Sequence, residues 1–319
     1  MCSLPEFRLM GHWGTSLYAG DFAMDLRSTV GAVARLPFAA ERLVEILCET
    51  EPGAANDAVD EDHATFWLVL ADQFAKRGIV SARVRETALA IIDAHDDITM
   101  LERLGMKPSD IRKRRRMLDE IRTRIETTVE MPRTVLAKPQ PLVMEIGDVI
   151  AYPTCHGRCI NPYYPSKERD TQYTESGPQP WTQDGWGAAV IVDCGRAFDF
   201  LSWYRPLVPF YGWRERPSLS DLMIDTSWRL EIPGTCSPSH FRKMEVVKLA
   251  TIPVDGAKLD RMFPERRPGK AGISAAVSDI SIANRLRVIP ADSSRQRSTV
   301  GSRPVLAIAN LADIISDSR

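Results

Sequence analysis

Apolar residues recur every three or four positions through most of the first 130 residues, the spacing of helices with one buried face. Phe22, Leu26, Val30 and Val33 predict a helix over 21–36, which Pro37 stops. Leu43, Ile46 and Leu47 predict another over 39–50. A third, over 63–77, carries the stripe Phe66, Trp67, Leu70, Ala71 and Phe74, with Gly78 placed to end it. Val84, Ala88, Ile91 and Ile92 mark a helix over 81–95. Ile111, Leu118, Ile121 and Ile125 mark one over 109–128. Between these, 51–62 is acidic, contains Pro and Gly, and reads as a loop.

The period changes after a proline-rich stretch, 132–141. The segment 142–152 reads as two strands about a turn at Gly147 and Asp148, and 188–192, 198–204, 228–232 and 244–254 supply further short apolar or alternating runs. Short strands with Pro- and Gly-rich joints predict a small antiparallel sheet, curved or closing toward a barrel. The polar stretch 161–183 reads as a long loop. The expected class is therefore α+β. An N-terminal extension (1–9, with Met10 as an alternative start) precedes a helical domain (10–131) and a linker (132–141). A β-rich domain (142–255) and a C-terminal extension (256–319) with a Ser/Arg-rich stretch follow.

Composition narrows the class without naming a function. Hydrophobic residues at 44% and charged residues at 26% fit a globular chain. A formal charge of −1 supplies no general field for nucleic acid or an anionic membrane. The balance is uneven: 9 Lys and Arg face 17 Asp and Glu over 1–105, against 10 and 5 over 106–140. No apolar run approaches the roughly 20 residues of a membrane span, and 1–9 lacks a secretory pattern. A cytoplasmic protein with no membrane partner is the expectation. The six cysteines are too few for a disulfide scaffold in a chain of this size.

The opening segment is read as the organiser of the helical half. Gly11 and Gly14 flank Trp13 so that the chain can fold tightly round the indole. Asp21 is placed to cap the first helix, with Asp25 a turn further on. With Met10 and Tyr18, these residues form a Met-Gly-x-Trp-Gly pattern followed by an aromatic residue and an Asp. The pattern resembles that of an uncharacterised bacterial family. The similarity continues through 66–73, 88–93, 113–118, 138–141 and 147–152. It implies a helical module followed by a β-rich one, and Ser16 departs from the Gly common at that position. In the second half, 147–152 and 185–203 look like small β-rich immunity proteins of toxin–immunity loci. Neither resemblance brings a catalytic residue set.

Four constellations carry candidate chemistry. Cys155, Cys159, Cys236 and His240 pair a C-x3-C with a distant C-x3-H and offer a tetrahedral zinc set, although the spacing is looser than the usual knuckles. Cys155 beside His156 suggests a nucleophile with its base, but neighbours on an extended strand face opposite ways. The basic run 112–116 reads as a solvated helix face rather than a nucleic-acid site. Among dense aromatics, Trp186 and Trp203 are expected to fill the core, while Trp181, Tyr211 and Trp213 are candidates to face a partner. The leading expectation is a non-enzymatic protein-binding module, immunity-like, with a protein partner and no cofactor. The rivals are a zinc module or hydrolase using the cysteine cluster, and nucleic-acid binding through 112–116.

Overall fold

A computed structural model describes residues 14–160, 171–174, 177–224, 227–264, 281–290, 307–308 and 311–316. Gly11, Trp13, the 1–9 extension and the Ser/Arg-rich stretch fall outside the described residues. The chain is α+β: helices dominate its first half and a curled antiparallel sheet its second. It divides into two compact units, Met1–Ala137 and Lys138–Arg319.

The helical unit holds α1 (Asp21–Val33), α2 (Ala40–Thr50), α3 (Pro52–Asn56), α4 (His63–Ala75), α5 (Ala82–Ala94), α6 (Asp96–Arg103) and α7 (Pro108–Thr127). Every residue from Thr65 to Phe74 in α4 is buried. A helix buried on all sides is a central one, and α1, α3, α5 and α7 all pack on it. The one-sided stripe expected from the sequence is therefore a full core helix. Within the expected loop 51–62, α3 starts with Pro52 in its first turn. The Ala55 carbonyl of α3 accepts the buried Trp67 indole N–H at 3.2 Å. At the end of α5, His95 takes a left-handed φ of 59° and starts α6 directly. Asp96 and Asp97 thus open a helix, where the dipole favours them.

Two expectations about the opening segment need correction. Gly20, not Asp21, is the N-cap of α1, and no side chain caps that end. Asp21 instead sits in the first turn, complementing the helix dipole. Gly14 does not adopt a left-handed backbone. What fixes 14–20 is side-chain chemistry further along the chain. The Tyr18 hydroxyl bonds to Asp72, the Gln73 amide donates to Tyr18, and the Arg114 guanidinium donates to the Ser16 carbonyl at 2.8 Å. The C-terminal part of the unit is tied down as well: Leu136 N–H donates to the Arg35 carbonyl at 2.7 Å.

In the second unit, antiparallel strands run in the order β10-β7-β6-β5-β1-β2, with β8 on β6 and β9 on β1. They span β1 (Asp148–Cys155), β2 (Arg158–Cys159), β5 (Gly185–Ala197), β6 (Leu201–Pro209), β7 (Trp228–Leu230), β8 (Gly234–Thr235), β9 (Val247–Thr251) and β10 (Ala307–Ile308). Part of the expected loop 161–183 is a separate two-stranded ribbon of β3 (Thr171–Thr174) and β4 (Gly177–Pro180). Short helices α8 (Leu219–Met223), α9 (Pro238–Lys243) and α10 (Gly256–Met262) lie between and after the strands.

Strands β1 and β6 are buried along their whole length, because both sheet faces are covered. Ile150, Tyr152, Tyr204, Met244, Ile282 and Leu286 pack on one face. Val149, Val190, Trp228, Leu259, Phe263 and Ile314 pack on the other. Among the described residues beyond 255, Leu259, Phe263 and Ile314 thus supply core to one face and Ile282 and Leu286 to the other. Packing also explains a sequence feature: a Cβ at Gly187 would lie 2.4 Å from the Tyr152 ring, so glycine makes room for that phenol. Among the described residues, no helix is long and apolar enough to cross a membrane.

Candidate functional site

The hairpin of β1 and β2 pairs Thr154 with Cys159 and Cys155 with Arg158, leaving His156 and Gly157 as a two-residue turn. Both turn residues have positive φ, 48° and 75°, as a type I′ hairpin requires. The turn is wedged against 288: a Cβ at Gly157 would lie 1.9 Å from the Val288 carbonyl oxygen, and Val288 N–H donates to the Gly157 carbonyl at 2.8 Å. Asp184 directly precedes β5, the strand that pairs with β1. Its N–H donates to the Thr154 carbonyl at 2.9 Å, and its carboxylate accepts the His156 backbone N–H at 2.7 Å.

These constraints converge on one group. The Cys155 Sγ, a His156 ring nitrogen and an Asp184 carboxylate oxygen all lie within 4.8 Å of one another. Among the described residues this is the one set of three such side chains close enough to share an ion. Cys155 is buried, whereas His156 and Asp184 are exposed. The His156 Nδ1 is 3.8 Å from the nearer Asp184 oxygen. Burial pushes the Cys155 thiol up, the Asp184 charge adds to that, and a backbone hydrogen bond from Thr182 opposes it. A protonated, buried thiol is a poor nucleophile, but S, N and O donors together suit a borderline metal ion of the zinc type.

The predicted set of Cys155, Cys159, Cys236 and His240 is not brought together. Residues directly opposite across a strand pair share a face, so the register that places Cys159 opposite Thr154 turns Cys159 and Cys155 to opposite faces. Cys159 and Cys236 lie in the core with Tyr152 and Tyr204. Burial pushes both thiols up, Cys236 to about 12, and each bonds to a nearby carbonyl at 3.6 Å. His240 lies on α9, half-buried. The objection to Cys155 and His156 acting together also fails, since His156 is in a turn rather than on a strand. Asp184 had no distinguishing signal: it is one polar residue among several before Gly185.

The aromatic candidates border this group. Trp186 lies opposite Pro153 on β1, next to the pairing of Gly185 with Thr154. Trp186 and Trp213 exchange backbone hydrogen bonds, each at 2.8 Å, and Gly212 N–H donates to the Ile289 carbonyl at 2.9 Å. On that braced frame Tyr211 is 44% exposed. Trp213 and Trp186 are half-buried, and the Arg216 guanidinium sits 5.9 Å from the Trp186 ring centroid. Trp203 fills the core as expected, but Trp186 does not: its indole reaches the rim. Trp181 is half-buried, and its enclosed indole N–H has no hydrogen-bond partner among the described residues.

The basic run divides. Arg112, Lys113, Arg115 and Arg116 are exposed, with Lys113 pairing to Asp110 at 2.9 Å and Arg115 to Glu102 at 3.7 Å. Arg114, expected on a solvated face, is fully buried against Asp97. Arg112, Arg115 and Arg116, at i, i+3 and i+4, therefore share one exposed face of the helix, while Arg114 turns inward. Comparison with protein families, with curated proteins and with solved structures returns no match.

Proposed function

We propose that this chain is a non-enzymatic, cytoplasmic binding protein that engages a protein partner through the aromatic rim of its β-rich unit. The observation that carries this reading is Tyr211, exposed beside half-buried Trp186 and Trp213 on a hydrogen-bonded frame. Rigid aromatic anchors with a flanking arginine are what protein interfaces use as energetic centres. The resemblance of 185–203 to β-rich immunity proteins supports a partner in a bacterial conflict system. The test is capture from the native host with tagged wild-type and Tyr211→Ala chains. Wild type should retain one stoichiometric protein, and Tyr211→Ala should weaken the complex by about 2 kcal/mol, roughly 30-fold, with unchanged melting. Equal retention by both chains overturns the assignment of the rim.

A second reading is favoured by the donor set of Cys155, His156 and Asp184, which would hold a zinc-type ion with one position left for water or a partner's side chain. Such an ion polarises whatever occupies that fourth position. The chain's own residues place one donor at the end of β1, one in the stiff turn that follows it and the third directly before β5. Because the Cys155 thiol is pushed up and must lose its proton to bind, affinity should strengthen as pH rises from 6 to 8. Zinc titration should show a single site that Cys155→Ser abolishes and Cys236→Ser leaves intact. Loss on Cys236→Ser alone would point to the other cysteines.

A further inference from the structure

The helical unit concentrates positive charge around a hollow that the binding reading does not use. A cavity of about 250 Å3 is lined by Gly31, Ala34, Arg35, Arg77, Arg133 and Thr134. Three of the six lining residues are arginines and none is a carboxylate. Arg77 and Arg133 are half-buried, and Arg35 is exposed at the mouth.

The protein anchors two of these guanidinium groups with carbonyl oxygens rather than with charge. Arg77 Nη1 donates to the Gln73 backbone carbonyl at 3.0 Å and to its side-chain carbonyl at 2.5 Å. Arg77 Nη2 faces Gly31, at 3.6 Å from where a Cβ would stand. Arg133 donates to the carbonyls of Ala34, Leu36 and Phe38, the chain leaving α1, with the Leu36 bond at 2.8 Å. Carbonyl acceptors hold a guanidinium in place without neutralising it. Burial pushes both Arg77 and Arg133 down; at Arg77, Tyr18 opposes the shift, the Arg27 charge adds to it and Asp72 opposes it.

The carboxylate acting on Arg77 is that of Asp72, and Asp72 is already committed. It is 1% exposed, takes Lys76 at 2.6 Å and bonds Arg124. It also accepts from Tyr18, whose hydroxyl burial and Asp72 hold protonated. Arg27 and Lys76 lie over the Tyr18 ring, 5.1 and 5.3 Å from its centroid. The buried Asp72 carboxylate is thus shared among Lys76, Arg124 and, at longer range, Arg77, with Arg35 and Arg133 lining the hollow beyond. A guanidinium fork matches a planar or tetrahedral oxyanion through charge-assisted bonds.

The geometry points to a small-oxyanion site in this cavity, taking a phosphate group or a carboxylate between Arg35, Arg77 and Arg133. Gly31 and Thr134 supply, respectively, the clearance and a hydroxyl beside it. The shared chemistry of the two ligand classes is an oxyanion that accepts several N–H bonds. The site is independent of the aromatic rim and of Cys155.

The test is calorimetric titration of the full chain with inorganic phosphate and, separately, with succinate, at constant ionic strength. The variant is Arg35→Gln, which alters the exposed arginine and none of the bonds that anchor Arg77 or Arg133. Saturable binding of either anion, weakened about tenfold or more in Arg35→Gln at unchanged melting temperature, supports the site. The stronger of the two anions identifies the ligand class. Absence of saturable binding of both anions at tens of millimolar overturns it, as does binding that Arg35→Gln leaves unchanged.

Discussion

Replacing Arg114 with methionine should destabilise the helical unit by about 3–5 kcal/mol, the cost of breaking a buried ion pair from one side. The pair is bidentate: Arg114 Nε and Nη2 donate to the two Asp97 oxygens at 2.9 and 2.7 Å. The Arg114 and Asp97 side chains are 1% and 4% exposed. Methionine fills comparable volume but leaves the Asp97 carboxylate buried with only the start of α6 to stabilise it. It also removes the donor to the Ser16 carbonyl, and with it one of the three side-chain hydrogen bonds that tie the opening segment to the rest of the unit. Hydrogen exchange at the α4 amides in the full chain reads the loss locally and should accelerate by roughly 100-fold or more. The double variant Asp97→Leu with Arg114→Met should recover most of the protection, because no charge is then left uncompensated. Protection of α4 unchanged by Arg114→Met would show that the pair is not structural. Neighbouring Arg115 is exposed and ion-paired at 3.7 Å, so Arg115→Met should fall within about 0.5 kcal/mol of wild type.

That contrast marks where the sequence is legible and where it is not. The helical period located α1, α2, α4, α5 and α7, because apolar residues three and four apart report one buried face. It could not distinguish Arg114 from its basic neighbours, since a charge is buried only when a partner from another element meets it. Asp97 is 17 residues away, on a helix that begins only because His95 adopts a left-handed backbone. The same limit applies to Tyr18 and Asp72, which are 54 residues apart. In the β-rich unit, alternation showed strands but not their register. Register decides everything at the candidate site: it separates Cys155 from Cys159 and places Asp184 beside the hairpin. Segments after 255 read as weak elements because each covers only a small part of a sheet face, with Leu259 and Phe263 on one and Ile282 and Leu286 on the other.

The hairpin turn offers the sharpest separation of architecture from chemistry. Gly157→Ala should cost about 2–4 kcal/mol and displace the His156 ring in the same step. Two causes add. A left-handed φ of 75° strains any residue with a Cβ, by about 1 kcal/mol for alanine. The new Cβ would also stand 1.9 Å from the Val288 carbonyl oxygen, so the turn must lift and weaken the Val288 to Gly157 hydrogen bond. Val288 and Leu286 pack in the core beneath, so that movement reaches the sheet. His156→Ala is the control. The imidazole is exposed, so its removal should leave melting within about 1 °C while taking away one of the three donors. Thermal unfolding and zinc titration on the two variants then read independent quantities. If the turn is built to present His156, Gly157→Ala loses both stability and zinc affinity, whereas His156→Ala loses zinc affinity alone. If Gly157→Ala melts as wild type does, the close packing of the turn on Val288 is refuted. If His156→Ala binds zinc as tightly as wild type, the donor set is refuted even where the turn is correct.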